Sequence, residues 1–432
     1  MVWIHGGAYV AGSGGNYFYG PDFIIDKDVI LVTLNYRLGA LGFLSLETDD
    51  APGNLALWDQ NLALQWVRDN IGYFGGNPDQ VTIFGESAGS FSVLYQVVSK
   101  QSDSLFSAAI AQSGAPFSTF WNPRFQEKNK PRKIAADLGR FLNCQAETDE
   151  VLLECLRSKS YEEIIDSNFF CQDDFICTVD PWNAIVDDFA EVAFLPDTPE
   201  NLVRDHQHND VPIIIGVNSE EGIYSTAKYI WNNDEFSDIN DNWATQGPLL
   251  IFDSRNATEA MKTVAESVKE FYLQGLPASM STIHQVINMF SDIVFWSGVH
   301  RFALLATEHQ KSSVYQYILT YKATNSYADL VLGLDSESLG LGVCHADDLF
   351  HLFKNNRFDL QFNEKDLKIR ESMLSWWTDF AKVRVPAGDL WLNLGQSNLE
   401  YFEISDTPHM ELDSDYQDRM NFWMQILDSL HM

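Results

Sequence analysis

Apolar positions along the chain form two kinds of segment that alternate from one end to the other. Short runs rich in β-branched and aromatic residues predict strands, and the continuous apolar run from Val211 to Val217 is typical of a strand buried on both faces. Similar runs cover residues 1–4, 81–84 and 313–319. Helix-like segments separate them, without a low-complexity linker or an internal repeat. The pattern predicts a single α/β domain over residues 1–432, with a mostly parallel open sheet and helices on both faces.

One strand run leads directly into a serine motif. Val81 to Phe84 is followed by G-x-S-x-G at residues 85–89, and a helix is predicted to open at Ser90. This order predicts that Ser87 lies on a sharp strand-to-helix turn with its hydroxyl exposed at the end of the sheet. The flanking glycines let backbone segments pass close to each other without a clash. The context indicates a serine nucleophile for acyl transfer.

A second glycine-rich loop follows the first apolar run. Residues 5–8 read His-Gly-Gly-Ala directly after the strand predicted at residues 1–4. Acyl transfer by a serine needs backbone N–H groups that bind the oxygen as it becomes negative, and loops of this type supply them. The N–H of Ala88, just after the serine, is a further candidate donor. The alternative interpretation of residues 5–8 is an ordinary glycine-rich turn.

A serine nucleophile needs a general base, and His345 fits this role best among the ten histidines. It follows the strand run at residues 313–319 and lies in a loop beyond the strand end, where catalytic groups of open α/β sheets gather. His351 is predicted to pack in the next helix, and His5 to shape its own loop. Three further histidines lie in polar runs and are predicted to be solvated: His206, His208 and His409.

The base in turn needs a carboxylate that orients it. The strand run ending at Val217 leads into Asn-Ser-Glu-Glu-Gly at residues 218–222, so Glu220 or Glu221 is the candidate. Spacing alone does not choose between the two. A solvated acidic loop is the alternative, since the chain contains 61 acidic residues.

With these residues in view, the chain resembles the type-B carboxylesterase and cholinesterase family of α/β-hydrolases. The segments that carry the resemblance are residues 35–44, 51–54, 59–67, 71–78, 85–89, 112–114 and 342–345. The resemblance implies the α/β-hydrolase fold and the hydrolysis of small-molecule carboxylic esters through an acyl-enzyme, without a cofactor. It places the orienting acid on Glu221, directly before a glycine. It places the oxyanion donors on Gly7, Ala8 and Ala88. Many members have glycine where this chain has Ala8, and an alanine whose φ is negative presents its N–H equally well.

Within the family, the segment from His345 to Leu349 is most similar to insect carboxylesterases. Juvenile-hormone esterases usually carry glutamine where this chain has Glu86, and acetylcholinesterases carry a tyrosine where it has Val10. A juvenile-hormone or pheromone ester hydrolase stays an alternative among the esterases. An alternative of a different class is a catalytically impaired, cholinesterase-like adhesion or binding protein. Such relatives lose members of the catalytic set that this chain retains.

Charge and composition exclude several other functions. The chain has 28 basic and 61 acidic residues and a formal net charge of −33, which argues against nucleic acids and anionic membrane surfaces as partners. No apolar stretch approaches the roughly 18 residues that a transmembrane segment needs. No C-x-x-C or H-E-x-x-H spacing indicates a metal, and no G-x-G-x-x-G follows a strand. Neither a metal nor another cofactor is predicted.

The five cysteines indicate an oxidising compartment. The family resemblance implies a disulfide between Cys144 and Cys155. Cys171 and Cys177 are candidates for a second bridge. Cys344 is the odd cysteine, beside the predicted base, and is expected to be a buried and inert thiol.

Secretion is the location that these features and the resemblance predict. Asn256 begins the N-x-[ST] glycosylation signal of the chain. Members of the family usually carry a longer segment before the position of Met1, which includes a signal peptide and the first strands of the sheet. The sheet of this chain is therefore expected to lack those N-terminal strands.

One further expectation concerns stability. Arg37 and Asp59 lie in segments that look like core, so they are expected to form a buried structural pair. Removal of one partner of such a pair is expected to cost roughly 3–5 kcal/mol.

Overall fold

A long, mostly parallel sheet organises the chain. The computed structural model describes residues 1–120, 129–166, 182–254, 257–395 and 400–430. The strands in these ranges are β1 (Val2–Ile4), β2 (Val32–Thr33), β3 (Ser45–Thr48), β4 (Ala51–Pro52), β5 (Thr82–Glu86), β6 (Ala108–Gln112), β7 (Ile213–Asn218), β8 (Val314–Leu319), β9 (Tyr401–Ile404) and β10 (His409–Glu411). Eight of them form one sheet in the order β10-β9-β8-β7-β6-β5-β1-β2. All neighbours in this sheet are parallel except β9 and β10, and β3 with β4 forms a separate antiparallel ribbon.

Helices connect the strands and cover the sheet. In chain order they are α1 (Gly39–Phe43), α2 (Leu55–Asn70), α3 (Ala88–Val98), α4 (Lys130–Phe141), α5 (Asp149–Arg157), α6 (Tyr161–Asp166), α7 (Pro199–Arg204), α8 (Ile223–Trp231), α9 (Ser237–Asn240), α10 (Trp243–Phe252), α11 (Glu259–Leu273), α12 (Ile283–Ser291), α13 (Ser297–His309), α14 (Tyr327–Leu330), α15 (Leu349–Leu352), α16 (Glu364–Val383) and α17 (Ser414–Ser429). A π-helix, Asp292–Trp296, joins α12 to α13. Within the described ranges, no helix is long and apolar enough to cross a bilayer.

The sheet separates two apolar cores, and successive strand residues enter them in turn. In β7, Ile213, Ile215 and Val217 pack into one core, whereas Ile214 packs into the other. Because side chains alternate between the faces of a strand, burial on both faces requires a continuous apolar run. Helix α3 contributes to the first core and helix α16 to the second. The α/β architecture predicted from the apolar pattern is therefore confirmed.

The predicted site segments lie together at the carboxyl ends of the parallel strands. Strand β1 leads into the loop at residues 5–8, β5 leads into Ser87, and β7 leads into residues 218–222. The loop that carries His345 follows β8 and returns to the end of β7, where the Glu220 N–H donates to the Val343 carbonyl at 2.9 Å. Because the carboxyl ends of parallel strands meet at the same edge, segments far apart in sequence converge there.

The Arg37–Asp59 pair forms, but the prediction that it is buried is wrong. Both carboxylate oxygens of Asp59 accept from the Arg37 guanidinium, each at 2.7 Å. The Arg37 side chain is 46% exposed and that of Asp59 is 26% exposed. Both side chains leave the apolar faces of their segments, and water screens such a pair. Its removal is expected to cost about 1 kcal/mol or less.

The covalent features agree in part with expectation. A disulfide joins Cys144 and Cys155, between the end of α4 and α5. Cys344 is free and buried, and burial raises the pKa of its thiol well above the usual range. The other predicted features, at Cys171, Cys177 and Asn256, lie outside the described residues.

Candidate active site

Ser87 occupies a strained turn between β5 and α3. Its backbone has φ 57° and ψ −126°, a conformation that L-residues rarely adopt. Every residue from 81 to 99 is buried except Ser87, which is half-buried. The Ser87 N–H donates to the carbonyl of Gln112 on β6 at 2.9 Å, which ties the turn to the sheet. The turn thus presents the hydroxyl-bearing residue toward solvent from an otherwise enclosed segment.

The glycines of the motif are required by close backbone contacts. A Cβ on Gly85 would lie 2.6 Å from the carbonyl oxygens of both Gly89 and Ile4. A Cβ on Gly89 would overlap the Ile4 carbonyl oxygen. On the other side, a Cβ on Gly6 would lie 3.1 Å from the Ser87 Cβ. The loop after β1 therefore packs directly on the serine turn, as the pattern of glycines predicts.

Three backbone N–H groups beside Ser87 are unpaired. Within the described residues, the N–H groups of Gly7, Ala8 and Ala88 donate no hydrogen bond. Ala88 opens α3, and the first N–H groups of a helix have no acceptor within the helix. These are the groups that sequence analysis assigns as oxyanion donors.

The expected backbone at Ala8 is not observed. Its φ is +52°, and that of Gly7 is +110°, so both residues adopt the left-handed region. A negative φ, the condition under which alanine presents its N–H as well as glycine, is therefore not met at Ala8. An L-residue in this region is strained by roughly 1–2 kcal/mol, which is why glycine suits the position better.

Glu221 and His345 form a buried acid–imidazole pair. The Glu221 Oε2 lies 2.6 Å from Nδ1 of His345. The other oxygen, Oε1, accepts from the Ser113 hydroxyl at 2.5 Å and from the Asn218 N–H at 2.7 Å. The Glu221 side chain has no exposed surface, and these donors stabilise its charge. The carboxylate can thus hold one orientation of the imidazole.

Glu220 points elsewhere, which resolves the choice that spacing left open. Its Oε1 lies 3.1 Å from Nδ1 of His284, and its Oε2 accepts from the Gly342 N–H at 2.7 Å. Both glutamates lie in the turn after β7, and their side chains contact different partners. The structure therefore brings Glu221, and not Glu220, onto His345.

The second nitrogen of His345 faces another carboxylate, which the sequence did not identify as part of the site. Nε2 lies 3.1 Å from Oε1 of Glu86, although the two atoms are not aligned as a hydrogen bond. Burial lowers the pKa of His345, but the charges of Glu86 and Glu221 outweigh burial and raise it to about 9. Burial raises the pKa of Glu86 to about 8, opposed by His345. Within the described residues, the Ser87 hydroxyl makes no hydrogen bond to His345.

Aromatic rings enclose the imidazole. The ring centroid of Phe295 lies 4.4 Å from that of His345, and the Tyr224 centroid lies 5.5 Å away. Phe295 is buried, whereas Tyr224 is 45% exposed. Apolar faces on the ring exclude water from the Glu221–His345 hydrogen bond and strengthen it.

Two further buried carboxylates follow His345. Asp348 accepts from Nε2 of Gln112 at 2.5 Å, and burial raises its pKa to about 6. Asp347 accepts from the N–H of Cys344 at 2.8 Å, and burial raises its pKa to about 7. The family resemblance covers the adjacent residues 342–345. No sequence pattern, however, indicates that the side chains of Asp347 and Asp348 are buried.

The remaining histidines do not join this site. His351 is buried in α15, as predicted, and His5 stacks on Tyr36 with 4.4 Å between centroids. His206 and His409 are exposed, but the prediction that His208 is solvated is wrong, since it is 5% exposed. The carbonyl of His208 accepts from Lys100 at 2.9 Å, and this contact ties the polar run to the turn that follows α3.

Possible metal ligands lie elsewhere in the fold. In the part of the chain that the structure describes, the ligand atoms of Glu403, His409 and Glu411 come within 4.8 Å of one another. These side chains belong to the hairpin of β9 and β10, at the edge of the sheet away from β1 and β5. They are partly or fully exposed, and His409 already lies 2.9 Å from Glu411.

The fold and the residues at the carboxyl ends of its parallel strands define the class of protein. A mostly parallel sheet carries a serine on a strained strand-to-helix turn, then a carboxylate after a later strand, then a histidine in a loop. This chain order and placement are those of α/β-hydrolases.

Comparison with known proteins gives the family. The carboxylesterase family model matches residues 1–423, and the chain belongs to this family. It is accordingly a carboxylic ester hydrolase. A carboxylic ester hydrolase of Bombus ignitus is 33% identical over 99% of this chain and 75% of its own length. Venom carboxylesterase-6 of Apis mellifera is 32% identical over 99% of this chain and 76% of its own length. The crystal structure of juvenile hormone esterase from Manduca sexta is similar with a TM-score of 0.87 and 27% identity, covering 99% of this chain and 80% of that one.

Proposed function

We propose that the protein is a serine carboxylesterase in which Ser87, His345 and Glu221 act as nucleophile, base and orienting acid. The observation that carries the proposal is the hydrogen bond of 2.6 Å between Glu221 and His345, formed at the sheet edge where Ser87 lies. A buried carboxylate on Nδ1 fixes the tautomer whose Nε2 is free to take a proton. The role of the serine rests on its turn and on its accessibility in a buried segment.

The reaction proceeds through an acyl-enzyme. The Ser87 oxygen attacks the ester carbonyl carbon while His345 takes the hydroxyl proton. The tetrahedral oxyanion accepts hydrogen bonds from the N–H groups of Gly7, Ala8 and Ala88, which have no other acceptor in the described structure. His345 returns the proton to the departing alcohol. Water then attacks the acyl-enzyme by the same route, which releases the acid and restores Ser87.

Small-molecule esters are the proposed substrates, and the extracellular space is the proposed location. The disulfide between Cys144 and Cys155 supports an oxidising compartment. A hormone or pheromone ester stays the alternative substrate, and the structural similarity to a juvenile hormone esterase supports it. Glu86 before the serine counts against a juvenile-hormone ester.

The test is the Ser87→Ala variant. Ser87, His345 and Glu221 are proposed to act as a unit, so kcat for a simple aryl ester is expected to fall roughly 10⁴-fold or more. Labelling by a fluorophosphonate probe is expected to vanish. Ser99→Ala is the matched control. Its hydroxyl donates to the Phe194 carbonyl at 2.6 Å, beyond the far end of α3, so it should retain labelling and turnover.

The same assay separates the esterase from the adhesion or binding alternative. A wild-type protein that folds but neither labels nor hydrolyses esters would support the binding protein. A Ser87→Ala variant that keeps a tenth of wild-type turnover would remove Ser87 from the mechanism.

A further inference from the structure

Asn218 forms hydrogen bonds both to Glu221, the proposed acid, and to the loop that carries His345, the proposed base. It ends β7 and is completely buried. Its backbone N–H donates to Oε1 of Glu221 at 2.7 Å. Its side-chain Nδ2 donates to the carbonyl of Cys344, the residue before His345, at 2.8 Å. One residue therefore holds both the carboxylate and the backbone of the histidine loop.

The π-helix contacts both Asn218 and His345. The Nε1 of Trp296 donates to the Asn218 carbonyl at 3.0 Å, and the neighbouring Phe295 packs on the His345 ring. The two contacts come from consecutive residues of the π-helix. Such single turns often occur at functional sites.

The C-terminal helix α17 anchors the π-helix. Arg419 donates through two nitrogens to both oxygens of Asp292, the first residue of the π-helix, at 2.8 and 2.5 Å. Its guanidinium also lies 4.4 Å from the Trp296 ring centroid. Asp292 is fully buried, so this pair fixes the π-helix firmly.

We propose that Asn218 is a positioning residue, which together with the π-helix at residues 292–296 sets the distance between Glu221 and His345. The inference rests on the proposed function, in which that pair orients and charges the base. Asn218 touches no reacting atom. Without its amide, the carbonyl of Cys344 loses its donor from β7 and keeps the N–H of Asp347, at 3.1 Å. Ser219 and Glu220 still bind the backbone of residues 342 and 343, so the variant loosens the histidine loop at Cys344 without releasing it.

The experiment compares two buried asparagines, Asn218 at the end of β7 and Asn209 before its beginning. Asn218→Ala removes the amide at the site edge and keeps the backbone N–H that binds Glu221. Asn209→Ala is the matched control, because its Nδ2 also binds backbone carbonyls, those of Gln96, Val97 and Ser99, at the other end of β7. Both variants lose buried hydrogen bonds, so both are expected to unfold at lower denaturant concentration.

Of the two asparagine variants, only Asn218→Ala is expected to change catalysis. Its kcat should fall about 10- to 100-fold with KM within about threefold, because a misplaced base affects the chemical step and not binding. The low-field proton resonance of the Glu221–His345 hydrogen bond should move or vanish. Asn209→Ala should retain both kcat and the resonance. Trp296→Phe deletes the donor to the Asn218 carbonyl and reduces the ring that faces Arg419, and it should show a smaller loss of kcat in the same direction.

Several outcomes overturn the inference. One is an Asn218→Ala protein with wild-type kcat and an unmoved resonance. Another is an equal loss of kcat in both asparagine variants, which would indicate general destabilisation. If Asn218→Ala fails to fold, a wild-type kcat in Trp296→Phe overturns the inference, and a lowered kcat supports it. A wild-type protein without esterase activity contradicts the proposed function instead, and the resonance then still tests the position of the pair.

Discussion

The two glutamates at residues 220 and 221 make a matched pair of substitutions at the scale of single residues. Glu221→Gln keeps the shape of the side chain but removes the charge that stabilises the imidazolium, and it can hold the wrong tautomer. Its kcat is expected to fall about 10³- to 10⁴-fold. Glu220→Gln is expected to stay within a few-fold of wild type, since its partners are His284 and Gly342. Steady-state hydrolysis of one aryl ester by both variants is the measurement, and a slower Glu220 variant would contradict the assignment.

Glu86 is expected to set the pH at which His345, the proposed base, works. Its carboxylate beside Nε2 favours the protonated imidazole, and with Glu221 it raises the pKa of His345 to about 9. A base is active when neutral, so activity is expected to rise with pH through the raised pKa. In Glu86→Gln the stabilising charge is lost, the pKa of His345 falls, and the acidic limb of kcat/KM should move to lower pH by about one unit or more.

The control for this shift is Glu220→Gln, which removes one negative charge at the carboxyl end of another strand, β7, without touching His345. The acidic limb of its kcat/KM profile should remain at the wild-type pH. A profile of Glu86→Gln that superimposes on wild type would show that the contact does not influence the base.

At the scale of elements, the packing of the serine turn against β1 determines whether the site forms. Gly89→Ala places a Cβ into the Ile4 carbonyl, and a backbone atom has little freedom to move aside. The variant is expected to lose about 2–3 kcal/mol of unfolding free energy and most of its turnover, since the loop at residues 5–8 begins directly after Ile4. Gly72→Ala is the control, because no atom lies within 4 Å of its new Cβ. Urea unfolding that gives equal midpoints for the two variants would contradict this account.

The elements and two residues of the candidate site, Ser87 and His345, could be predicted from the sequence because each has a local signal. The choice of Glu221 over Glu220 came from the family resemblance. An apolar run marks β7, and the glycine pattern marks the turn at Ser87. The role of Asn218, the contact of Glu86 with His345 and the burial of His208 had no such signal. They depend on the directions of side chains from segments far apart in the chain. The exposure of the Arg37–Asp59 pair was missed for a related reason, because a charged side chain can leave an apolar segment toward water.

At the scale of the whole molecule, charge opposes compactness. The net charge of −33 produces self-repulsion that the unfolded chain relieves. Added salt screens this repulsion, because the Debye length falls from about 30 Å at 0.01 M to about 10 Å at 0.1 M. The Tm is therefore expected to rise as sodium chloride is raised from about 0.01 to 0.3 M. Potassium chloride at the same ionic strength should give the same rise, and a Tm that is constant or falls would show that attractive pairs dominate.

The convergence of distant segments at one sheet edge also determines when the enzyme first becomes active during its synthesis. The ribosome adds residues at roughly 5–20 per second, so the histidine loop is completed roughly 13–50 s after the serine turn. Strand β1 lies between β2 and β5 in the sheet, so it pairs with strands that are synthesised at different times. Until β7, β8 and the loop with His345 have docked, a nascent chain holds the serine turn without its base. Translation products that stop before the histidine loop are thus expected to have no partial esterase activity.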